Sequence, residues 1–440
     1  MYISVKIQAP LQRRFALFPS IVNSIKMLNF LKKTLLVFMC ICIGACTNNT
    51  QEQPVEFDNS IKNSDTEIVK IEVGAQKYES YLPLLKGKRV AVIANATSMV
   101  DGTHLVDALL NKDIKLVKVF APEHGFRGDK DAGEKIYDEI DPQTGLPIIS
   151  LYGANKKPSV KTMQDIDALV FDIQDVGVRF YTYLSTLHYV MEACAENSVP
   201  LILLDRPNPN GFYIDGPVLK PEFKSFIGLH PIPLIYGMTI GEYGLMINGE
   251  NWLKNDVKCD LTVIKITGYT HDTLYELPIK PSPNLPNMNA VYLYPSLALF
   301  EGTVVSVGRG TEFPFQAIGH PDYPKGGFQF TPSPNAGAKY PKLNGQSIKG
   351  HDLRSKFTNA FPPPALPANE VSLDWLIDFY ISLPDQENFF LENNFFNKLA
   401  GNNLLMRQIK DGQTQNQIRE SWKDDLRIFK LIRQKYMLYD

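Results

Sequence analysis

The sequence predicts an α/β protein: a Rossmann-like parallel-sheet domain, then a second α/β domain, with a cleft at the carboxyl ends of the strands. Three observations predict it. From Gly87 onward, short apolar runs alternate with helical stretches, the pattern of a parallel sheet covered by helices. The second half is broken by proline-rich turns, at Asn208-Pro209-Asn210-Gly211, Pro231-Ile232-Pro233 and Pro281-Ser282-Pro283-Asn284-Leu285-Pro286, which mark a separate unit. The chain has 440 residues, 44% hydrophobic and 21% charged, enough for two cores. The expected division is residues 74–212 for the Rossmann-like domain and 213–440 for the C-terminal α/β domain.

The elements follow in order. At the N-terminus, Lys32 and Lys33 precede the apolar run 34–43, which meets Gly44-Ala45-Cys46. A charged region, a short apolar core and small residues before a cut describe an export signal, and the run is short for a membrane-spanning helix. It resembles a bacterial lipoprotein signal over residues 1–46, with Met27 as an alternative start. That resemblance implies lipidation at Cys46, a membrane anchor there, and a periplasmic location at a bacterial membrane, the outer one expected. Residues 47–73 read as a polar tether with too little apolar content to fold. Strands are expected at 89–94, 116–120, 147–151, 168–173 and 200–204, and helices at 105–111, 160–165 and 181–197. Thr239-Ile240-Gly241-Glu242 has capping-box spacing and opens a helix toward Trp252; 261–266 reads as a strand in the second half. Late helices are expected at 372–383 and 414–436.

Composition excludes some functions. A formal net charge of −2 without a clustered basic surplus argues against a nucleic-acid partner. No Gly-x-Gly-x-x-Gly follows the first strand, where Asn95-Ala96-Thr97-Ser98 stands instead, so no dinucleotide site is expected. Of five cysteines, Cys40, Cys42 and Cys46 crowd into the leader, leaving Cys194 and Cys259 in the folded body. These two offer no zinc spacing; Cys194 reads as a small core residue, a bridge to Cys259 staying open.

Open parallel sheets gather ligands beyond the carboxyl ends of their strands, where loops and helix N-termini converge. Four polar segments follow strands: Asn95 to Ser98, Ala121 to Gly128, Gln174 to Arg179, and Asp205 to Asn208. In the second, Glu123 leaves an apolar strand at a turn fixed by Pro122, and partial desolvation of a carboxyl raises its pKa, as a general acid near neutral pH requires. The alternative is a loop carboxylate capping amides or pairing with Arg127. His124 can orient that carboxylate or a sugar hydroxyl; with no His-x-x-x-His spacing or Cys pair, no metal and no other cofactor are expected. Asp172 and Asp175 could form a carboxylate pair. Glu192 lies two to three turns into the helix 181–197, where a surface or ion-paired role competes with a catalytic one. Glu301, at a later turn, is a rival second carboxylate. Tyr181 and Tyr183 are candidate sugar-stacking rings in an aromatic series that otherwise reads as core. Asn284 and Asn287 offer amides to hydroxyl and acetamido groups. Arg309 stands between Gly308 and Gly310, where a guanidinium can clamp an anion or form a structural salt bridge.

Taken in order, these segments resemble the exo-β-N-acetylmuramidases of the NamZ type, formerly a bacterial domain of unknown function. The resemblance rests on Ala121 to Gly128 with Ala132-Gly133-Glu134, Ser150-Leu151-Tyr152-Gly153, Phe171 to Gly177 with Arg179 to Tyr183, and Leu204 to Pro209. It continues through His230 to Pro233, Gly237 to Glu242, Pro281 to Asn287, and Glu301-Gly302-Thr303 to Gly308-Arg309-Gly310-Thr311. It spans about Gly74 to the C-terminus. It implies a glycoside hydrolase that releases non-reducing terminal N-acetylmuramic acid from a peptidoglycan-derived muropeptide or disaccharide. Glu123 matches the family's Glu-His-Gly glutamate and becomes general acid or acid/base. Glu192 is preferred as second carboxylate over Glu301 and Asp175. His124, Arg127, Asp175, Arg179, Tyr181, Asp205, Arg206, Asn284, Asn287, Glu301 and Arg309 are expected to bind substrate, with Arg309, Arg179 or Arg206 on the lactyl carboxylate. A non-catalytic lipoprotein that binds wall fragments or sugars is the alternative, two α/β domains around a cleft being common to both.

Overall fold

The computed structural model describes residues 70–127, 138–153, 155–357 and 369–440. Cys46, the leader and nearly all of the tether lie outside the described residues, as does the Ala132-Gly133-Glu134 motif. In chain order the first sheet and its helices are α1 (Tyr78–Leu85), β1 (Val90–Ala94), the ribbon β2 (Met99–Val100) and β3 (Thr103–His104), α2 (Leu105–Leu110), β4 (Leu116–Ala121), β5 (Glu139–Ile140), β6 (Pro147–Ser150), α3 (Val160–Met163), β7 (Ala168–Asp172), α4 (Tyr183–Asn197), β8 (Leu201–Leu204), α5 (Ile240–Gly249) and β9 (Leu261–Ile264).

The strand order is β5-β6-β4-β1-β7-β8-β9, all parallel except β5, which runs antiparallel to β6 at the edge. The six parallel strands thus take the order 3-2-1-4-5-6 of a doubly wound sheet, and the order reverses between β1 and β7. The central strands Val90–Ala94, Ala168–Asp172 and Leu201–Leu204 are buried along their whole length, which explains why they read as continuous apolar runs. Their side chains nevertheless alternate between two cores. Ala91, Ile93, Leu169, Phe171, Leu201 and Leu203 join the core under α4 and α5; Val90, Val92, Ala168, Val170, Ile202 and Leu204 join the one on the opposite face.

The first of these cores continues without interruption into the second half of the chain, reaching Tyr294, Phe300, Phe379 and Phe429. That half contains α6 (Met288–Leu297), a three-stranded antiparallel sheet β10-β12-β11 from β10 (Ala317–His320), β11 (Phe328–Phe330) and β12 (Ile348–Asp352), and the helices α7 (Asp374–Ser382), α8 (Phe395–Ala400), α9 (Leu404–Lys410), α10 (Gln415–Glu420) and α11 (Lys423–Arg433).

Element by element, the expected strands hold to within a residue or two. The run expected at 261–266 is β9, and it completes the first sheet by pairing with β8 instead of serving a sheet of its own. The capping box is present in both directions, Thr239 accepting from the Glu242 amide and Glu242 from the Thr239 amide. The single late helix expected over 414–436 is two helices and a final turn. It breaks at Ser421-Trp422, where Trp422 leaves helical geometry (φ −110°, ψ 0°) and its indole is buried, so burial overrides helix continuity. Cys194 and Cys259 are both buried and unbridged.

Candidate active site

Because the strand order reverses between β1 and β7, the loops leaving these two strands diverge there and open a crevice. A cavity of about 860 Å³ fills it, lined on the sheet side by residues of the loops after β4, β6 and β7, and on the other by residues 282–342.

Glu123, two residues past β4, is half-buried and lines this cavity. Two hydroxyls hold its carboxylate. Thr182 Oγ1 donates to Oε2 at 2.5 Å, and the phenol of Tyr152, in the loop after β6, bonds the same carboxylate. Burial first, and then the neighbouring Glu123 charge, push the Tyr152 phenol well above the usual range, so it stays a donor. Thr182 is the residue before the first turn of α4, yet its side chain makes no helix cap; it is spent on Glu123. His124 follows in a left-handed backbone conformation (φ +73°), buried and also lining the cavity. Deeper down, Asn95 at the end of β1 donates to the Tyr183 hydroxyl at 2.8 Å, tying the β1 loop to the start of α4.

The facing wall comes from the second half. Tyr181 lines the cavity and donates to the Pro281 carbonyl at 2.8 Å. Asn284 donates to the Gly337 carbonyl at 2.6 Å. Glu301, in the 3-10 turn Ala298–Gly302, pairs with Arg309 at 3.1 Å, and Arg309 also reaches the Gly337 carbonyl at 3.3 Å. Lys342 is half-buried, its ammonium set on the Phe300, Thr303 and Val305 carbonyls, and desolvation holds that ammonium down to about 8. Tyr340, 97% exposed, projects at the rim.

Of the residues expected to act here, the cavity is lined by Glu123, His124, Tyr181, Tyr183, Asn284, Glu301 and Arg309. The others lie elsewhere. Glu192, the preferred second carboxylate, is absent from the lining: it faces Lys157 at 3.0 Å, His188 at 3.3 Å and the Lys254 amide at 2.9 Å. Burial alone would raise its pKa, but the Lys157 ammonium, the Lys254 amide and His188 outweigh this and hold it below the usual range. Its position in the third turn of α4 carries it away from the cleft, because only the helix N-terminus points there. Arg127 forms a two-pronged pair with Asp141 at 3.2 and 2.8 Å, so it pairs with Asp141 and not with Glu123 as the alternative had it.

The segment after β8 turns into the interior. Arg206 grips Asp172 at 2.6 and 2.8 Å, and Asp205 accepts from Thr239, Gly241 and Tyr439 at 2.7, 2.9 and 2.7 Å. Asp172 is therefore half of an ion pair and no partner to Asp175. Asp175 accepts from Tyr236 and from the Gly177 amide, and burial pushes its carboxyl up to about 6. Arg179 is fully buried on the carbonyls of Pro217, Ile232 and Leu399 at 2.7 to 2.8 Å, so it cannot reach a ligand. Asn287 caps α6, accepting from the Ala290 amide. Sequence reasoning missed Tyr152, Thr182, Lys156, Phe226 and Tyr294, all on the cavity wall. Tyr152 and Lys156 follow β6, a parallel strand of the same sheet, so the strand-end rule reaches them as well. Among the described residues no three His, Cys, Asp or Glu side chains gather as a metal site would require.

Comparison with known proteins agrees with this architecture. Residues 90–289 match the model of the exo-β-N-acetylmuramidase NamZ N-terminal domain, and residues 292–439 that of its C-terminal domain. The chain is 38% identical to the peptidoglycan β-N-acetylmuramidase NamZ of Bacillus subtilis, over 86% of this chain and 94% of that protein. Two solved structures of Bacteroides fragilis proteins, both described as DUF1343 family, superpose on it. One is 44% identical with a TM-score of 0.76 over 84% of this chain and 99% of its own; the other is 29% identical with a TM-score of 0.72 over 84% and 100%. With both domain models matched end to end and a relative this similar over most of its length, the chain belongs to the exo-β-N-acetylmuramidase NamZ family of glycoside hydrolases.

Proposed function

We propose that this chain is an exo-acting glycosidase that releases non-reducing terminal N-acetylmuramic acid from peptidoglycan fragments, with Glu123 as general acid or acid/base. One observation carries the assignment: Glu123 stands past the end of β4, one strand from the sheet's switch point, with its carboxylate held by the Thr182 and Tyr152 hydroxyls, lining a cavity of about 860 Å³. Two fixed donors hold the carboxyl in one orientation, so a proton on it is aimed at a leaving glycosidic oxygen instead of being lost to rotation. Glu301, across the cavity on Arg309, is the proposed second carboxylate in place of Glu192. The test is incubation of the chain with a 4-nitrophenyl β-glycoside of N-acetylmuramic acid. Release of nitrophenolate is expected; binding without release would make the protein a wall-fragment-binding module.

We propose also that the chain is exported and held at a bacterial membrane, the outer one on its periplasmic side, by a lipid on Cys46. The order of charged, apolar and small residues over 32–46 supports this. Cys46→Ser is expected to leave a soluble or unprocessed precursor; unchanged membrane fractionation of that variant would reject the anchor.

A further inference from the structure

If the substrate carries a lactyl carboxylate, some cation in the cavity must receive it, and the wall residues can be compared for that task. Among the described residues, three Lys or Arg side chains line the cavity: Arg309, Lys342 and Lys156. Arg309 is committed to Glu301 at 3.1 Å and to the Gly337 carbonyl. An arriving carboxylate would meet the Glu301 charge beside it and lose much of the attraction. Lys342 carries three N–H donors, and three backbone carbonyls take them, those of Phe300, Thr303 and Val305. Lys156 is different. Its ammonium lies 4.6 Å from the centroid of the Phe226 ring, a contact that positions a cation while leaving its donors available.

The placement of Lys156 relative to Glu123 is set by a chain of contacts. Tyr152 bonds the Glu123 carboxylate, the Tyr152 and Phe226 rings meet edge to face at 6.2 Å, and Phe226 carries the ammonium. Phe226 is further braced by Tyr189 of α4, the rings stacked at 6.3 Å. The cation thus lines the same cavity as Glu123 and is tied to it through Phe226 and Tyr152.

We propose that Lys156, held over Phe226, is the specificity-determining residue that binds the lactyl carboxylate of the terminal sugar, an inference that rests on the glycosidase reading above. Arg309, in this arrangement, positions Glu301. A charge-assisted bond lost at such a site reads as a change of about tenfold to a hundredfold.

The experiment compares Lys156→Met with the unaltered chain on two nitrophenyl β-glycosides, of N-acetylmuramic acid and of N-acetylglucosamine, which lacks the lactyl group. The ratio of kcat/KM for the first over the second is expected to fall by about tenfold to a hundredfold, mostly through KM, and Lys156→Arg is expected to restore most of it. An unchanged ratio would overturn the assignment. Calorimetric binding of free N-acetylmuramic acid against N-acetylglucosamine reads the anchor without turnover. A chain that hydrolyses neither glycoside but loses its binding preference in Lys156→Met would refute the glycosidase reading and keep the anchor; a preference that survives Lys156→Met would refute the anchor alone.

Discussion

At the scale of single residues, the two glutamates expected to act as a catalytic pair have opposite surroundings. Glu123 has hydroxyl donors and a cavity; Glu192 has a lysine, a histidine and a backbone amide. Glu123→Gln keeps volume and hydrogen-bonding shape but cannot deliver a proton. It is expected to lower turnover of a sugar-leaving substrate by at least about a hundredfold, and less for 4-nitrophenolate, which departs readily as an anion. Equal losses on both leaving groups would assign Glu123 to binding instead. Glu192→Gln is expected to leave both rates near normal and to cost about 1–2 kcal/mol of stability in urea denaturation, through the lost charge-assisted bond to Lys157. Asp175 offers a pH test. Burial raises its carboxyl to about 6 in the folded chain, against about 3.9 for an unfolded aspartate, so its contribution to stability is full below about pH 4 and is lost as pH rises through 6. Across that interval the thermal midpoint of the native chain is expected to fall relative to that of Asp175→Asn. A constant difference between the two would show that Asp175 ionises in the folded state as it does unfolded.

Among the elements, α4 does most to assemble the site. Its N-terminal end delivers Thr182 to Glu123 and Tyr183 to Asn95, while its third turn carries Glu192 out of the cleft. Threonine before a helix ordinarily caps it, but here the hydroxyl serves the carboxylate, so helix stability and site geometry separate experimentally. Thr182→Val, nearly isosteric, is expected to lower kcat by about tenfold, the worth of one charge-assisted bond that orients the proposed general acid, with little change in the denaturation midpoint. A large stability loss with unchanged kcat per folded molecule would mean that Thr182 serves the helix. The contrast with Thr239 is instructive: the same residue type caps α5 in a full capping box, as its spacing predicted. Capping boxes are readable because both partners lie within four residues of each other. Thr182 and Glu123 are 59 residues apart, and nothing local announces the bond.

For the whole molecule, the coupling of the two halves rests on a core that runs continuously from Ala91 to Phe429 and on buried polar ties across it. Arg179 is one such tie. From the loop after β7 it satisfies carbonyls at Pro217, Ile232 and Leu399, the last 220 residues away. Burial lowers its pKa to about 9, which still leaves the guanidinium charged at neutral pH. Arg179→Met would leave the Pro217 and Leu399 carbonyls without this donor in a dry interior, while the Ile232 carbonyl keeps the Leu219 amide at 3.1 Å. The expected cost is about 3 kcal/mol or more in chemical denaturation, with any remaining folded fraction keeping its preference for substrate, because Arg179 does not line the cavity. A stable Arg179→Met chain with altered preference would return Arg179 to the list of ligand-binding groups.

The sequence by itself determined the parallel sheet, whose apolar runs and intervening helices are local patterns, and the strand end at which Glu123 emerges. It also carried the ordered motifs that mark the family. Tertiary structure alone decided which polar groups at the strand ends face a ligand. Glu123 opens onto the cavity from the end of β4, one strand from the switch point, whereas Asp205 and Arg206, equally polar and equally placed after a strand, are covered by α5 and the C-terminal Tyr439 and by the ion pair with Asp172. Glu301 and Arg309 reach the same cavity from the second half of the chain, and Lys156 acquires its setting from Phe226, 70 residues further along. Periodicity and spacing report on neighbours in the chain. Whether a charge meets solvent, substrate or a buried partner depends on what distant segments bring against it, and that is settled only when the chain closes on itself.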